Sequence, residues 1–291
     1  MSPRDVVLTL FVMVIWGVNF AVAKYGLREF SPMLLMCLRF AMVAVMLVPF
    51  VRIPWGQMKG ILVLSVLLGG LHFPLMFTGL TKVDAAAASI AIQLQVPFSS
   101  LLAALLYKDK LGWRRGLGMA ISFAGVMVIA GEPRAMGGGF YLGLVVIAAL
   151  IFSVVNIQIR RIGSISGFAL NGWMAALAAP QLLIVSLLTE TGQIEMIRSS
   201  TWVGWSSIAY MAILVTIVSY AIWYRLVRRY QVNQTMPWTL LVPVFGVLSG
   251  ILMLGEPLTP AMMVGGTLTL MGVAVIMIRK VPKQNQNQSA T

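Results

Sequence analysis

Nine stretches of this chain run without a single Lys, Arg, Asp or Glu: 6–23, 60–81, 85–107, 116–131, 135–159, 162–189, 199–224, 230–255 and 257–278. A tenth, 30–51, is interrupted only by Arg39. A helix crossing the hydrocarbon core of a bilayer needs roughly 20 apolar residues, and each run is that long or close to it. Runs apolar on every face cannot be separated from buried core helices by periodicity, so length decides for the membrane. The pattern predicts an all-α polytopic membrane protein with ten transmembrane helices, near 6–24, 32–51, 58–80, 86–107, 113–131, 139–159, 167–188, 202–225, 233–254 and 261–279. With 59% hydrophobic and 10% charged residues, the 291-residue chain cannot cover itself with the mixed, charged exterior of a soluble domain.

The net charge of +13 raises nucleic acid as a partner, and the placement of the charge argues against it. If both termini are cytoplasmic, Arg4, Arg52, Lys59, Lys108, Lys110, Arg114, Arg115, Arg160, Arg161, Arg225, Arg228, Arg229, Arg279, Lys280 and Lys283 all fall on the cytoplasmic side. The outer loops keep only Lys24, Arg28, Lys82, Arg134 and Arg198. That bias is the positive-inside rule, and it needs an even number of crossings. The opening run, with Arg4 before it and Ala21-Val22-Ala23 near its end, has features of a signal peptide. It is long for that role and is read as the first helix. Cys37 has no partner for a disulfide. The single histidine and the absence of a Cys/His/carboxylate cluster leave no metal site and call for no cofactor. The polar tail, 282–291, reads as disordered.

The chain also repeats itself. With an offset of 146, Phe77 meets Trp223, Lys82 meets Arg228, and "QVPF" with Pro97 meets "LVPV" with Pro243. With 147, Asp109 meets Glu256, Leu111 meets Leu258, and Gly118 and Gly125 meet Gly265 and Gly272. Earlier, Asn19 meets Asn156, Lys24 meets Arg161 and Gly26 meets Gly163. This divides the chain into a first unit, 1–137, and a second, 138–281, joined near "GEPRAMGGG" (131–139). Five helices per unit is an odd number, so the second unit enters the membrane inverted. Inverted repeats recur in secondary transporters, because mirrored halves supply inward-open and outward-open states from one scaffold.

"WGVNFAVAKYGL" (16–27), "SPMLLMCLRFAMVA" (31–44), "VTIVSYAIWYRLVRRYQ" (215–231) and "LLVPVFGVLSGILMLGEPLT" (240–259) resemble the EamA-type branch of the drug/metabolite transporter superfamily. The resemblance covers essentially the whole chain. Within the family it resembles bacterial exporters of amino acids and related metabolites, O-acetylserine/cysteine and aromatic amino-acid exporters among them. It implies two EamA repeats, a multi-pass protein of the inner membrane, and efflux of a small molecule. Family members differ in cargo, so the resemblance leaves the substrate open.

Ionisable side chains at membrane depth are costly and are functional candidates by default. Arg39 either binds a substrate carboxylate or snorkels to the interface. His72 either lines the path, where neutral imidazole suits a zwitterion, or bonds across helices as a structural group. No Asp or Glu lies deep in a helix, so facilitated export without tight ion coupling is the simpler reading. Asn19, Gln93 and Asn156 are polar at mid-depth and belong inside the bundle. Trp16, Phe73, Phe77, Tyr220, Trp223 and Trp238 are candidate cavity rings, with an interfacial belt as the alternative. Together these make an amphipathic binding site. Pro97 and Pro243 are candidate hinges, or static kinks that shape the cavity. The glycines of the fifth and tenth helices read as packing faces, for a chain acting as a monomer or weak homodimer. The expected activity is secondary export by alternating access. A multidrug or other metabolite exporter shares this fold, while a membrane-embedded enzyme or a channel is the alternative from another class. The membrane region offers no catalytic residues for the enzyme.

Overall fold

A computed structural model describes residues 1–107, 112–132, 138–163, 165–230 and 232–277. The tail 282–291 and much of the boundary near 131–139 lie outside the described residues. Nine of the described helices are long and apolar enough to cross a membrane: α1 (Pro3–Leu27), α2 (Pro32–Phe50), α3 (Trp55–Leu80), α4 (Ala85–Leu106), α6 (Gly139–Ile159), α7 (Gly167–Thr189), α8 (Trp202–Val227), α9 (Met236–Leu254) and α10 (Pro260–Met277). Between them lies α5 (Trp113–Ala130), helical throughout, whose first turn carries Arg114 and Arg115. Those two charges keep its 18 residues from forming an uninterrupted apolar span.

The helices start where the sequence frees them to start. Ser2 accepts from the Asp5 N–H and Pro3 opens α1, while Pro32 opens α2 behind Ser31; proline suits these positions because the missing N–H would be unpaired there anyway. Four helix pairs organise the bundle: α5 with α10, α2 with α7, α1 with α9, and α3 with α6. Glycine decides the tightest of them. A Cβ on Gly118 would sit 2.7 Å from the Gly272 carbonyl, and one on Gly125 would meet the backbone of Gly265 and Thr269. Ser122 and Thr269 bond across the same contact, each accepted by the other's backbone carbonyl. The glycine faces of α5 and α10 are therefore turned on each other within one chain. Gly116 stands in open space.

Distortions recur in both halves at matching places. α3 widens into a π-helical segment at Val66–His72, and α8 does so at Tyr210–Val218, which contains the positions 146 residues further on. In α3 the segment ends beside Pro74, which cannot donate to the preceding turn. In α8 hydroxyls take over: Thr216 donates to the Met211 carbonyl at 3.0 Å and Ser219 to the Leu214 carbonyl at 2.8 Å. Likewise α4 tightens to a 3-10 turn at Ile92–Leu94 just before Pro97, and α9 does so at Met236–Leu240 before Pro243.

At the end of the bundle where α1 and α7 finish, glutamates hold the next helices. Glu190 accepts from Ser31 Oγ and from the N–H groups of Met33 and Leu34 at the start of α2. Glu256 accepts from the N–H groups of Ala85 and Ala86 at the start of α4, with Lys24 Nζ at 3.5 Å. Glu29 accepts from the N–H and hydroxyl of Thr201, the residue before α8. Glu132 accepts from Thr259 Oγ1, which in turn caps α10 at the Met262 N–H. Carboxylates suit exposed helix N–H groups and the positive end of the helix dipole. Each of these ties joins one five-helix unit to the other.

Candidate functional site

Arg39 lies seven residues into α2, about 10 Å from its start at 1.5 Å per residue. It is 5% exposed. Its Nη2 donates to Thr216 Oγ1 at 3.1 Å, on the π-helical segment of α8. Its guanidinium carbon lies 5.3 Å from the centre of the Phe73 ring and 5.7 Å from that of Phe40, within range of cation–π attraction. Its Nε is buried with no hydrogen-bond partner. Among the described residues the ion pairs are Lys24–Glu256 and Arg229–Asp5, and no described carboxylate neutralises Arg39. It does not snorkel.

His72 closes the π-helical segment of α3 and is also 5% exposed. Its Nδ1 lies 2.9 Å from the Ala148 carbonyl on α6. A carbonyl only accepts, so Nδ1 carries the proton of that bond. The ring meets Phe73 at 4.8 Å and Phe152 at 5.0 Å, and Phe77 continues the row at 6.1 Å from Phe73. A second row starts on α1. Trp16 meets Tyr220 at 5.6 Å and Trp223 at 5.4 Å, and Tyr220 meets Tyr224 at 5.6 Å. Thr216 and Tyr220 are one turn apart on α8, so the residue that holds Arg39 stands beside the ring that meets Trp16. The two rows thus converge on Arg39.

The remaining candidates are placed unevenly. Asn19 stands one turn from Trp16 on α1, and its Oδ1 is buried without a partner. Trp238 packs towards the other end of α1, against the cluster of Val12, Met13, Trp223 and Leu226. Gln93 is buried in the 3-10 turn of α4, and Asn156 is half-buried on α6. Among the described residues no hydrogen bond or ring contact joins Gln93 or Asn156 to Arg39. Two depressions, of about 490 and 460 Å³, lie at the glutamate-tied end around Leu27 and Arg28. Arg39 is not among the residues that line them; the rings of Phe40 and Phe73 lie beside it.

Four participants were not singled out in the sequence: Thr216, Phe40, Phe152 and Tyr210, whose hydroxyl donates to the Ile15 carbonyl beside Trp16. Thr216 was within reach by the same rule that picked out Asn19, a polar group inside an apolar run. The rings offered no such signal.

Known proteins give this arrangement its kin. Residues 4–131 and 139–278 each match the EamA-like transporter family. A protein of Escherichia coli K12 named "Probable amino-acid metabolite efflux pump" is 33% identical, over 94% of this chain and 95% of its own length. One of the same name from Salmonella typhimurium is 32% identical over the same shares. A crystal structure sharing 21% identity superposes with a TM-score of 0.61 over 94% of this chain and 96% of the other, a likeness of fold. Two matched units, a membrane-spanning helical bundle and full-length relatives lead to one assignment: this chain belongs to the EamA-like transporter family of the drug/metabolite transporter superfamily and is a multi-pass membrane transporter.

Proposed function

We propose that this protein exports amino acids or closely related carboxylate metabolites from the cytoplasm, and that Arg39 receives the carboxylate. The observation that carries this reading is a buried guanidinium with a free Nε and no counter-ion among the described residues. A cation in mid-membrane costs on the order of 3 kcal/mol even on lenient scales, and an orphaned buried donor adds about 1–3 kcal/mol. An anionic cargo offsets both. The names of the Escherichia coli and Salmonella relatives support the same class of substrate.

The finer reading keeps ten crossings, with both termini on the cytoplasmic side of the inner membrane. The paired distortions before Pro97 and Pro243 support alternating access, with these prolines as bending points. His72, Phe73, Phe77, Gln93, Asn156, Trp16, Tyr220, Trp223 and Trp238 line the route with Asn19 and Arg39. The glycine faces of α5 and α10 are used up within one chain, which supports the single chain as the transport unit. With no described carboxylate at mid-depth, transport is facilitated, without obligatory ion coupling. A second reading, export of drugs or other amphipathic metabolites, rests on how much of the wall is aromatic.

Counterflow in proteoliposomes tests this without any ion gradient. A radiolabelled large neutral amino acid should exchange saturably and be displaced by the unlabelled amino acid. The corresponding amine, lacking the carboxylate, should compete at least tenfold more weakly. Arg39→Gln should erase that preference. Equal competition by the amine would overturn the role of Arg39, and strict dependence on an imposed proton gradient would overturn facilitated export.

A further inference from the structure

Among the described residues, three buried polar side-chain atoms have no hydrogen-bond partner: Asp5 Oδ1, Asn19 Oδ1 and Arg39 Nε. Asp5 is explained by its other oxygen, which accepts from Ser2 Oγ and Tyr230 Oη and pairs with Arg229. The other two form a complementary set, an acceptor without a donor and a donor without an acceptor. Their depths agree. Asn19 lies eight residues before the end of α1, about 12 Å in, and Arg39 about 10 Å in from the neighbouring end of α2. Both helices pack against the same π-helical segment of α8. That segment links them through side chains as well. Thr216 holds the guanidinium, and one turn on, Tyr220 meets Trp16, which is one turn from Asn19 on α1.

We infer that Asn19 Oδ1 and Arg39 Nε are the two poles of a site for a free α-amino acid zwitterion. Arg39 donates to the carboxylate and Asn19 accepts from the ammonium. Asn19 is then the residue that distinguishes an amino acid from a plain carboxylic acid. The site leaves both groups of the zwitterion paired, so no net charge enters the hydrocarbon with the cargo. A neutral acceptor suits this better than a carboxylate would, because Asp or Glu there would pair with Arg39 and close the site to cargo. Trp16 and Tyr220 pack on one another one turn from Asn19, and the Phe73 ring lies 5.3 Å from the guanidinium carbon, so a side chain of the cargo has apolar wall to meet.

The inference rests on the export reading, and one experiment separates them. Exchange is measured in proteoliposomes for three labelled compounds with the same side chain: the α-amino acid, its des-amino acid and its decarboxylated amine. The wild type should prefer the amino acid to both others by roughly tenfold or more, the worth of one hydrogen bond to a charged group. Asn19→Ala should lower exchange of the amino acid to the level of the des-amino acid and leave the latter unchanged. Arg39→Gln should instead lower the amino acid to the level of the amine. Unchanged des-amino acid exchange also shows that Asn19→Ala folds. Should Asn19→Ala reduce all three compounds in proportion, or leave the preference for the amino acid intact, Asn19 is not a pole of the site. If the wild type exchanges none of the three, the export reading falls as well.

Discussion

Among the described residues, Arg39 donates to a single oxygen. Thr216 accepts from its Nη2 and donates its own hydroxyl hydrogen bond to the Met211 carbonyl, so the hydroxyl sets the guanidinium against the π-helical segment. Thr216→Val keeps the shape and removes that acceptor. A hydrogen bond to a charged group is worth about 1.5–3 kcal/mol, so the half-saturating cargo concentration should rise about tenfold or more. Thr216→Ser should restore most of it. A maximal rate that falls instead, with half-saturation unchanged, would assign Thr216 to the moving parts rather than to positioning. Arg39, His72 and Asn19 were legible in the sequence because a charge or amide in an apolar run has to be accounted for. Thr216 was less so, since a threonine in a helix can satisfy its hydroxyl on its own backbone, and nothing local says that it also holds an arginine 177 positions away.

The elements show the same contrast. Helix positions follow from apolar length, and the structure agrees with them to within a few residues. The 3-10 turns before Pro97 and Pro243 follow from proline, which leaves the carbonyl one turn earlier unpaired and forces the local ladder to regroup. The π-helical segment of α8 has no proline to announce it, and only its hydroxyl-to-carbonyl bonds explain how the wide turn is supported. If the kinks are the bending points of transport, Pro97→Ala and Pro243→Ala should each slow turnover several-fold while leaving half-saturation within about twofold; wild-type rates in both variants would make them architectural. α5 and α10 call for a different outcome. Their backbones meet at Gly125 and Gly265 with no room for a Cβ. Gly125→Val should therefore lower the melting temperature of the detergent-solubilised protein, by the roughly 1–3 kcal/mol that overpacking costs. Gly116→Ala, in open space, should leave it unchanged or raise it slightly, as Ala is the better helix former.

At the scale of the molecule the two halves mirror one another in helices and kinks, and their charges do not follow that symmetry. Glu29, Glu132, Glu190 and Glu256 all tie helix starts across the two units at one end of the bundle, the outer end in the proposed orientation. At the opposite end, among the described residues, one carboxylate does comparable work: Asp5 on α1, held by Tyr230 and Arg229 at the end of α8. In the sequence these glutamates look like ordinary loop charges, because a cap supplied by a distant helix leaves no local signature. If transport runs by the proposed alternating access, their sum favours a carrier that rests closed to the outside, and each tie resembles a helix cap worth about 1 kcal/mol. Outward opening has to break several of them together, so removing one should shift the resting population about fivefold towards outward-open. Ser89, fully buried on α4 where it faces Gly246 of α9, is a suitable reporter. With Cys37→Ser as background, Ser89→Cys should resist a membrane-impermeant thiol reagent added from outside. Adding Glu256→Gln should raise the labelling rate about fivefold, and Glu190→Gln together with it should raise it further. Labelling that stays at the background rate in variants that still exchange cargo would mean that the glutamates merely cap helices, and that the outer gate lies deeper, among the rings around Arg39.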